Sequence, residues 1–416
     1  MTNQPASNLP RVLLAHLALL LVIESILTPT IQGVRVDPAT GRIRLLYMGD
    51  PWSFQQNRIV LDWIDAEPRL TMVVVPCDLQ VMEFPYAVRY TRQYLPRNYR
   101  ELNSSYDVIV PNNISPRVVE RKIVDYFRQA VEEDGMGAYL VGFDFWDGTN
   151  EIDMWQALEF YDLLPADIDT ETYQYPADGK IHYEILKEEP IFDLPGDIES
   201  LVMFVNRGGD IYPRQGSVVH AVWKGRRTAA LVTGEYGKGR TLQLDQAWND
   251  FDIESMRGYR YFADLIYNQI YFVADVTPPE DLALAHRTRE MFIDVEARRK
   301  ITLALLEFVD IFGGNVRETE ERIAKMDRGI RDAKTDYIRG DITESMGTLR
   351  GAIEELEEID DQLSETRSRA LMWIYLSEWI VVASTSMVCG VVIWTLMVKR
   401  SAYREVSTSR HPLRRK

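Results

Sequence analysis

The sequence predicts an α/β protein: a Rossmann-like or flavodoxin-like parallel sheet domain with a β-rich extension. An α-helical bundle or coiled-coil stalk follows, and then a C-terminal transmembrane helix. Three observations predict this. Apolar runs of strand length alternate with helical patterns over the first 276 residues. After Thr277-Pro278-Pro279, Gly and Pro become scarce and apolar residues recur at 3-4 spacing. Trp379–Val398 is a run of twenty residues without a charge, which at ~1.5 Å per residue is the length of a bilayer's hydrocarbon core.

Residues 1–33 contain an apolar run, Val12–Leu27, behind the single cation Arg11. It is sixteen residues long and includes His16 and Glu24. That suits a signal-peptide core or an uncleaved N-terminal membrane anchor. Either one places residue 34 onward outside.

Residues 34–276 are the predicted ectodomain. Ile43–Met48 reads as a strand ended by Gly49-Asp50-Pro51, and Phe54–Trp63 as a helix with Ile59, Leu61 and Trp63 among its apolar positions. Leu70–Val75 is a second strand, stopped by Pro76, and Tyr106–Val110 a third, running out into Asn112-Asn113. Ser115-Pro116 supplies a cap and a first-turn proline for a helix reaching about Glu133. Its apolar positions Val119, Ile123, Phe127 and Val131 lie four apart. Ala138–Gly142 is the next strand. Strands alternating with helices imply parallel pairing through right-handed crossovers. From Asp169 to Asp245 the pattern is β-rich, with alternating Lys180–Leu186 and Ser217–Trp223. Thr228–Thr233 and Arg240–Leu244 flank a glycine-rich hairpin connection, Gly234–Gly239. A helix over Ser255–Phe272 closes the domain.

Residues 279–370 are the predicted three-helix stalk. One helix spans Pro279 to Phe312 and stops at Gly313-Gly314. A second carries the seam Val316, Thr319, Ile323, Met326, Ile330, Ala333 and Tyr337. A third carries Ile342, Met346, Leu349, Ile353, Leu356, Ile359 and Leu363. Short connections predict an antiparallel bundle. No proline interrupts the chain from Asp341 into the span at 371–398, which predicts one nearly continuous helix. Trp373, Tyr375 and Trp379 mark one interface of the span and Trp394 the other. The tail, 399–416, has seven Lys/Arg against Glu405, which assigns it to the cytoplasm and the main domain to the outside of the plasma membrane.

Several segments resemble the class I glutamine amidotransferase-like superfamily, particularly its membrane-associated members. They are Leu45–Asp50, Tyr106–Val110, Tyr139–Gly142, Leu163-Leu164-Pro165, and the Gly-Lys-Gly-Arg hairpin followed by Leu244–Trp248. The resemblance covers about 43–273 and does not reach the stalk. It implies the fold. The superfamily's nucleophile is a Cys in a Gly-x-Cys-x-Gly turn after a strand, and here the run is Gly142-Phe143-Asp144-Phe145-Trp146, with Asp144 in the Cys position. His182, His220 and His286 are isolated, without the downstream His-x-Glu pair of that superfamily. The resemblance therefore implies a catalytically degenerate domain.

In open α/β sheets ligands bind beyond the C-terminal strand ends. Asp50, Trp52, Asn112, Asn113, Asp144, Trp146 and Asp147 form the predicted ligand crevice, with Trp155 as a further wall. Asp144 is the candidate carboxylate nucleophile. Asp144, Asp147, Asn150 and Asp153 are candidate oxygen ligands for a metal, without EF-hand spacing. No cofactor is predicted.

The net charge is −16. The tail holds +6 and Glu378 is the one charge in 371–398, so residues 1–370 carry −21. An acidic ectodomain argues against nucleic acid as a partner. Cys77 and Cys389 lie in different compartments, which excludes a disulfide between them. The predicted partners are membrane lipid, through the C-terminal helix, and a protein partner or a second copy. The functional expectation is a membrane-anchored surface protein that binds a partner or ligand. The alternatives are a hydrolase centred on Asp144 and a transmembrane sensor acting through a cytoplasmic partner.

Overall fold

A computed structural model describes residues 35–142, 154–155, 157–169, 179–204, 210–226, 228–311 and 317–408. The chain divides into two compact units, one comprising residues up to Arg287 with Tyr337–Gly340, the other Thr288–Asp336 and Asp341–Lys416. The first is mixed α/β around a central parallel sheet; the second is helical.

The central strands are β1 (Ile43–Gly49), β2 (Leu70–Pro76), β3 (Val108–Pro111) and β4 (Gly137–Val141). They are mutually parallel in the order β2-β1-β3-β4. The outlying strands are β5 (Ala166–Asp169), β6 (Lys180–Ile185), β7 (Val202–Phe204), β8 (Asp210–Pro213), β9 (Val218–Trp223), β10 (Ala229–Tyr236) and β11 (Gly239–Leu244). β11 extends the parallel set beside β4, then turns the sheet antiparallel through β10, β9, β6 and β7. β11 thus belongs to both halves: its hairpin with β10 is tight, and Tyr236 pairs with Gly239 across Gly237-Lys238. Gly237 there has φ +59°, which L side chains rarely adopt.

Both faces of the sheet are buried at β1, β3 and β4, which is why these strands read as continuous apolar runs, while the edge strand β2 leaves Thr71 and Val73 exposed. In β1, Ile43, Leu45 and Tyr47 enter one core and Leu46 and Met48 the other. The first core is covered by α1 (Gln55–Ala66) and later helices; α1 contributes Val60, Leu61 and Ile64. The second is covered by α2 (Phe84–Tyr94), α3 (Tyr99–Ser105) and α4 (Arg121–Asp134), through Ala87, Leu102, Val124 and Phe127. Sequence periodicity had not marked α2 or α3, because α2 buries only Ala87 and Thr91. In α1 the inward positions are Asn57, Val60, Leu61 and Ile64, while Ile59 and Trp63 are half-buried.

Two helix expectations change. α4 starts at Arg121, not at Pro116. The Val118 carbonyl is taken by the Thr91 hydroxyl at 2.7 Å, which fixes Ser115–Glu120 as a buried turn against α2. The expected helix over Ser255–Phe272 is two, α5 (Ile253–Gly258) and α6 (Phe262–Val273), broken after Gly258.

The second unit consists of most of α7 (Leu282–Ile311), α8 (Arg317–Arg339) and α9 (Ile342–Thr408). α7 and α9 run parallel, since Arg298 meets Glu357 and Thr302 meets Asp360. α8 runs antiparallel to α9, with Arg322 on Glu355 and Glu358 and Gly329 opposite Thr348. The α8 seam is Ile323, Met326, Ile330 and Ala333. In α9 the innermost positions are Ile342, Ser345, Leu349, Ala352, Leu356, Ile359 and Leu363. Ser345 and Ala352 thus replace the expected Met346 and Ile353, which are half-buried. A helix flanked by two partners buries a wide stripe, and small residues sit where the backbones approach most closely. α9 continues without interruption, and among the described residues it is the one helix long and apolar enough to cross a membrane.

Candidate functional site

The C-terminal ends of the parallel strands meet at one edge of the sheet. Gly49 closes β1; a Cβ there would lie 2.7 Å from the Asn112 carbonyl oxygen and 2.8 Å from the Tyr47 hydroxyl. Gly142 follows β4 at φ +50°, and a Cβ would lie 2.5 Å from that of Ala247. These two glycines allow the chain segments after β1, β3, β4 and β11 to crowd together. Backbone bonds tie the segments: Cys77 N to Gly49 O at 3.1 Å, Asn113 N to Val141 O at 3.0 Å, and Gly142 N to Leu244 O at 3.1 Å.

Beneath this edge lies a buried polar network. The Asn112 amide donates to the Tyr47 hydroxyl at 3.0 Å and to Asn57 Oδ1 at 3.2 Å, and its oxygen accepts from Trp248 N at 3.5 Å. Trp248 stacks on Tyr47 with centroids 5.6 Å apart and donates its indole N–H to the Tyr139 hydroxyl at 3.2 Å. Tyr139 in turn bonds to Gln269. Burial raises the phenols of Tyr47 and Tyr139, so both remain protonated donors. The network fixes the floor of the edge.

Of the residues expected in the crevice, Asp50 is buried and occupied. Its carboxylate accepts from the amides of Trp52, Ser53 and Phe54 at 2.9–3.1 Å, capping the turn that enters α1. Trp52 is 64% exposed. Asn112 belongs to the floor. Asn113 is buried with φ +54°, and its Nδ2 has no partner. Trp155 packs on Phe160 with centroids 4.7 Å apart, in the core rather than as a wall. Asp144, Trp146, Asp147, Asn150 and Asp153 lie outside the described residues, and so do the nucleophile and metal assignments that depend on them. Among the described residues no group of three His, Cys, Asp or Glu is placed to hold a metal ion.

The structure adds residues that the sequence reading left out. Cys77 and Asp78 follow β2 at the same edge, both buried. Burial pushes the Asp78 carboxyl up to about 7, and the neighbouring Asp50 adds to the shift while the Gln80 amide opposes it. Burial, with Asp78 nearby, raises the Cys77 thiol far above neutrality, so it is no nucleophile. Gln246 and Asn249 follow β11, and Gln246 Oε1 and Asn249 Oδ1 are buried without partners. Applying the strand-end rule to β2 and β11 as well would have found all four. The opposite edge contrasts sharply, since buried Asp107 there is held by Arg44 through three bonds of 2.8–2.9 Å.

The histidines stand apart from the edge. His220, in β9, bonds to Thr233 at 2.9 Å, and burial lowers its pKa to about 4. His286 bonds to Asp264 at 2.6 Å and accepts from Arg260 at 3.1 Å. His182 lies in β6.

No protein-family model matches the chain, and no curated protein matches it. Solved structures do show likeness. Two cytoplasmic proteins of Salmonella typhimurium are 16% and 14% identical, with TM-scores of 0.42 and 0.43, and each match covers 56% of this chain and 99% of theirs. A β-galactosidase from Rahnella sp. R3 is 11% identical with a TM-score of 0.34, covering 58% of this chain and 32% of that one. Likeness at this level assigns neither family nor activity.

Proposed function

We infer that this chain is a membrane-anchored extracytoplasmic protein. Its flavodoxin-like domain is a catalytically degenerate relative of the glutamine amidotransferases that binds a ligand or partner at the strand-end edge. The order β2-β1-β3-β4, continued by β11, supports the flavodoxin-like reading. The long α9 with its apolar stretch supports the anchor.

One observation carries the binding function: Asn113, Gln246 and Asn249 each hold a buried polar atom without a partner, on segments that backbone and side-chain bonds bring together at the strand-end edge. Unpaired buried groups cost stability and mark places where something else completes the bonding. The edge thiol is held protonated, and the histidines are engaged elsewhere. A hydrolysis screen over amides, esters and glycosides, run with the wild type and Asp144→Ala, tests this. No Asp144-dependent turnover is expected; activity that vanishes with Asp144 would establish the hydrolase instead.

A further inference from the structure

We propose that the strand-end edge binds a neutral, hydroxyl-rich ligand the size of a mono- or disaccharide. This rests on reading the edge as a ligand site and supplies that site's chemistry.

Three side chains set the requirement. Asn113, Gln246 and Asn249 are each more than nine-tenths buried. Asn113 Nδ2 is a donor without an acceptor, while Gln246 Oε1 and Asn249 Oδ1 are acceptors without donors. They are neighbours, because Asn113 is bonded to the end of β4, Gly142 to the end of β11, and Trp248 to Asn112. A hydroxyl both donates and accepts, so a polyol satisfies all three at once. A carboxylate or a phosphodiester only accepts and would leave Gln246 and Asn249 unpaired. It would also meet like charge, since Asp50 raises Asp78 and both carboxyl groups raise Tyr47. An ammonium only donates and would leave Asn113 unpaired. Trp52 at the same edge offers an exposed aromatic face of the kind that packs against the C–H face of a sugar ring.

The test uses the full chain in detergent and follows ligand signals by saturation-transfer NMR. The probes are glucose, galactose, mannose, maltose and cellobiose, with inorganic phosphate and putrescine as charged counterparts. At least one neutral saccharide is expected to bind saturably. Asn113→Asp, which keeps a residue tolerant of positive φ but replaces donors with acceptors, is expected to weaken it about tenfold. Trp52→Ala removes an exposed ring and is expected to weaken binding without changing the circular dichroism spectrum. Saturable binding of phosphate or putrescine alone, abolished by Asn113→Asp, would overturn the ligand class and leave the site standing. Saccharide binding indifferent to both substitutions would place it elsewhere and overturn the proposal. Binding by none of the probes would overturn it too, and if Asn113→Asp then released a co-purifying protein, the edge would still be the binding site.

Discussion

Asp78 shows how burial converts an ordinary acid into a titrating group near neutrality. Its pKa is raised from 3.8 to about 7, so the folded chain holds a proton that the unfolded chain releases between those values. Stability from this group is therefore fully present below pH 4 and falls as pH rises towards 7. Asp78→Asn keeps the shape without the charge. It is expected to raise stability by about 2–4 kcal/mol at pH 8 and by little at pH 4.5. Thermal melts at both pH values check this, and an equal gain at each would mean that charge is not the cause. His220 works in the opposite direction: its lowered pKa, about 4, removes stability as pH falls from 6.5. The comparison of variant with wild type at one pH cancels that contribution.

Among the elements, the bundle helices show the difference between an apolar pattern and a packed seam. Ser345 and Ala352 are innermost in α9, while the larger Met346 and Ile353 flank them. Ala352→Leu is expected to overpack the seam and cost about 1–3 kcal/mol. Met346→Ala should cost less, because that side chain already reaches solvent. Chemical unfolding followed by circular dichroism orders the two, and the reverse order would restore the seam that sequence spacing predicts. Polar groups also enter the interfaces. Arg299 holds Asp327 through two bonds of 2.7 and 3.0 Å, and Thr302 holds Asp360 at 2.6 Å. Directed contacts of this kind favour one register of α7 over its slipped alternatives.

At the scale of the whole molecule, charge and greasiness are separated along the chain. Residues 1–370 carry −21 and the last eighteen residues +6, on either side of an apolar helical stretch. An uncharged stretch of that length is most stable in lipid, and its cationic flank resists translocation. Protease added to intact cells is expected to remove the region before the span and spare 399–416. A protected acidic region would refute the orientation. The stretch in α9 exposes Trp373, Tyr375 and Trp379 before it and Trp394 near its end, as an interfacial belt requires.

Sequence alone determined the strands β1 to β4, the β10–β11 hairpin, the helical second unit and the apolar helix, because each is written in local spacing: runs, alternation, glycine turns and 3-4 repeats. It did not show that β11 returns to lie beside β4, since that pairing joins residues about a hundred apart and leaves no local trace. For the same reason Asn113, Gln246 and Asn249 appear unrelated in the chain and become neighbours only when the sheet closes. Nor did spacing separate Asp50, whose carboxylate is spent on three backbone amides, from Asp78, whose burial leaves it poised to titrate. Both are single acids after strands. Their different chemistry comes from desolvation and hydrogen bonding, which depend on what packs around them in three dimensions.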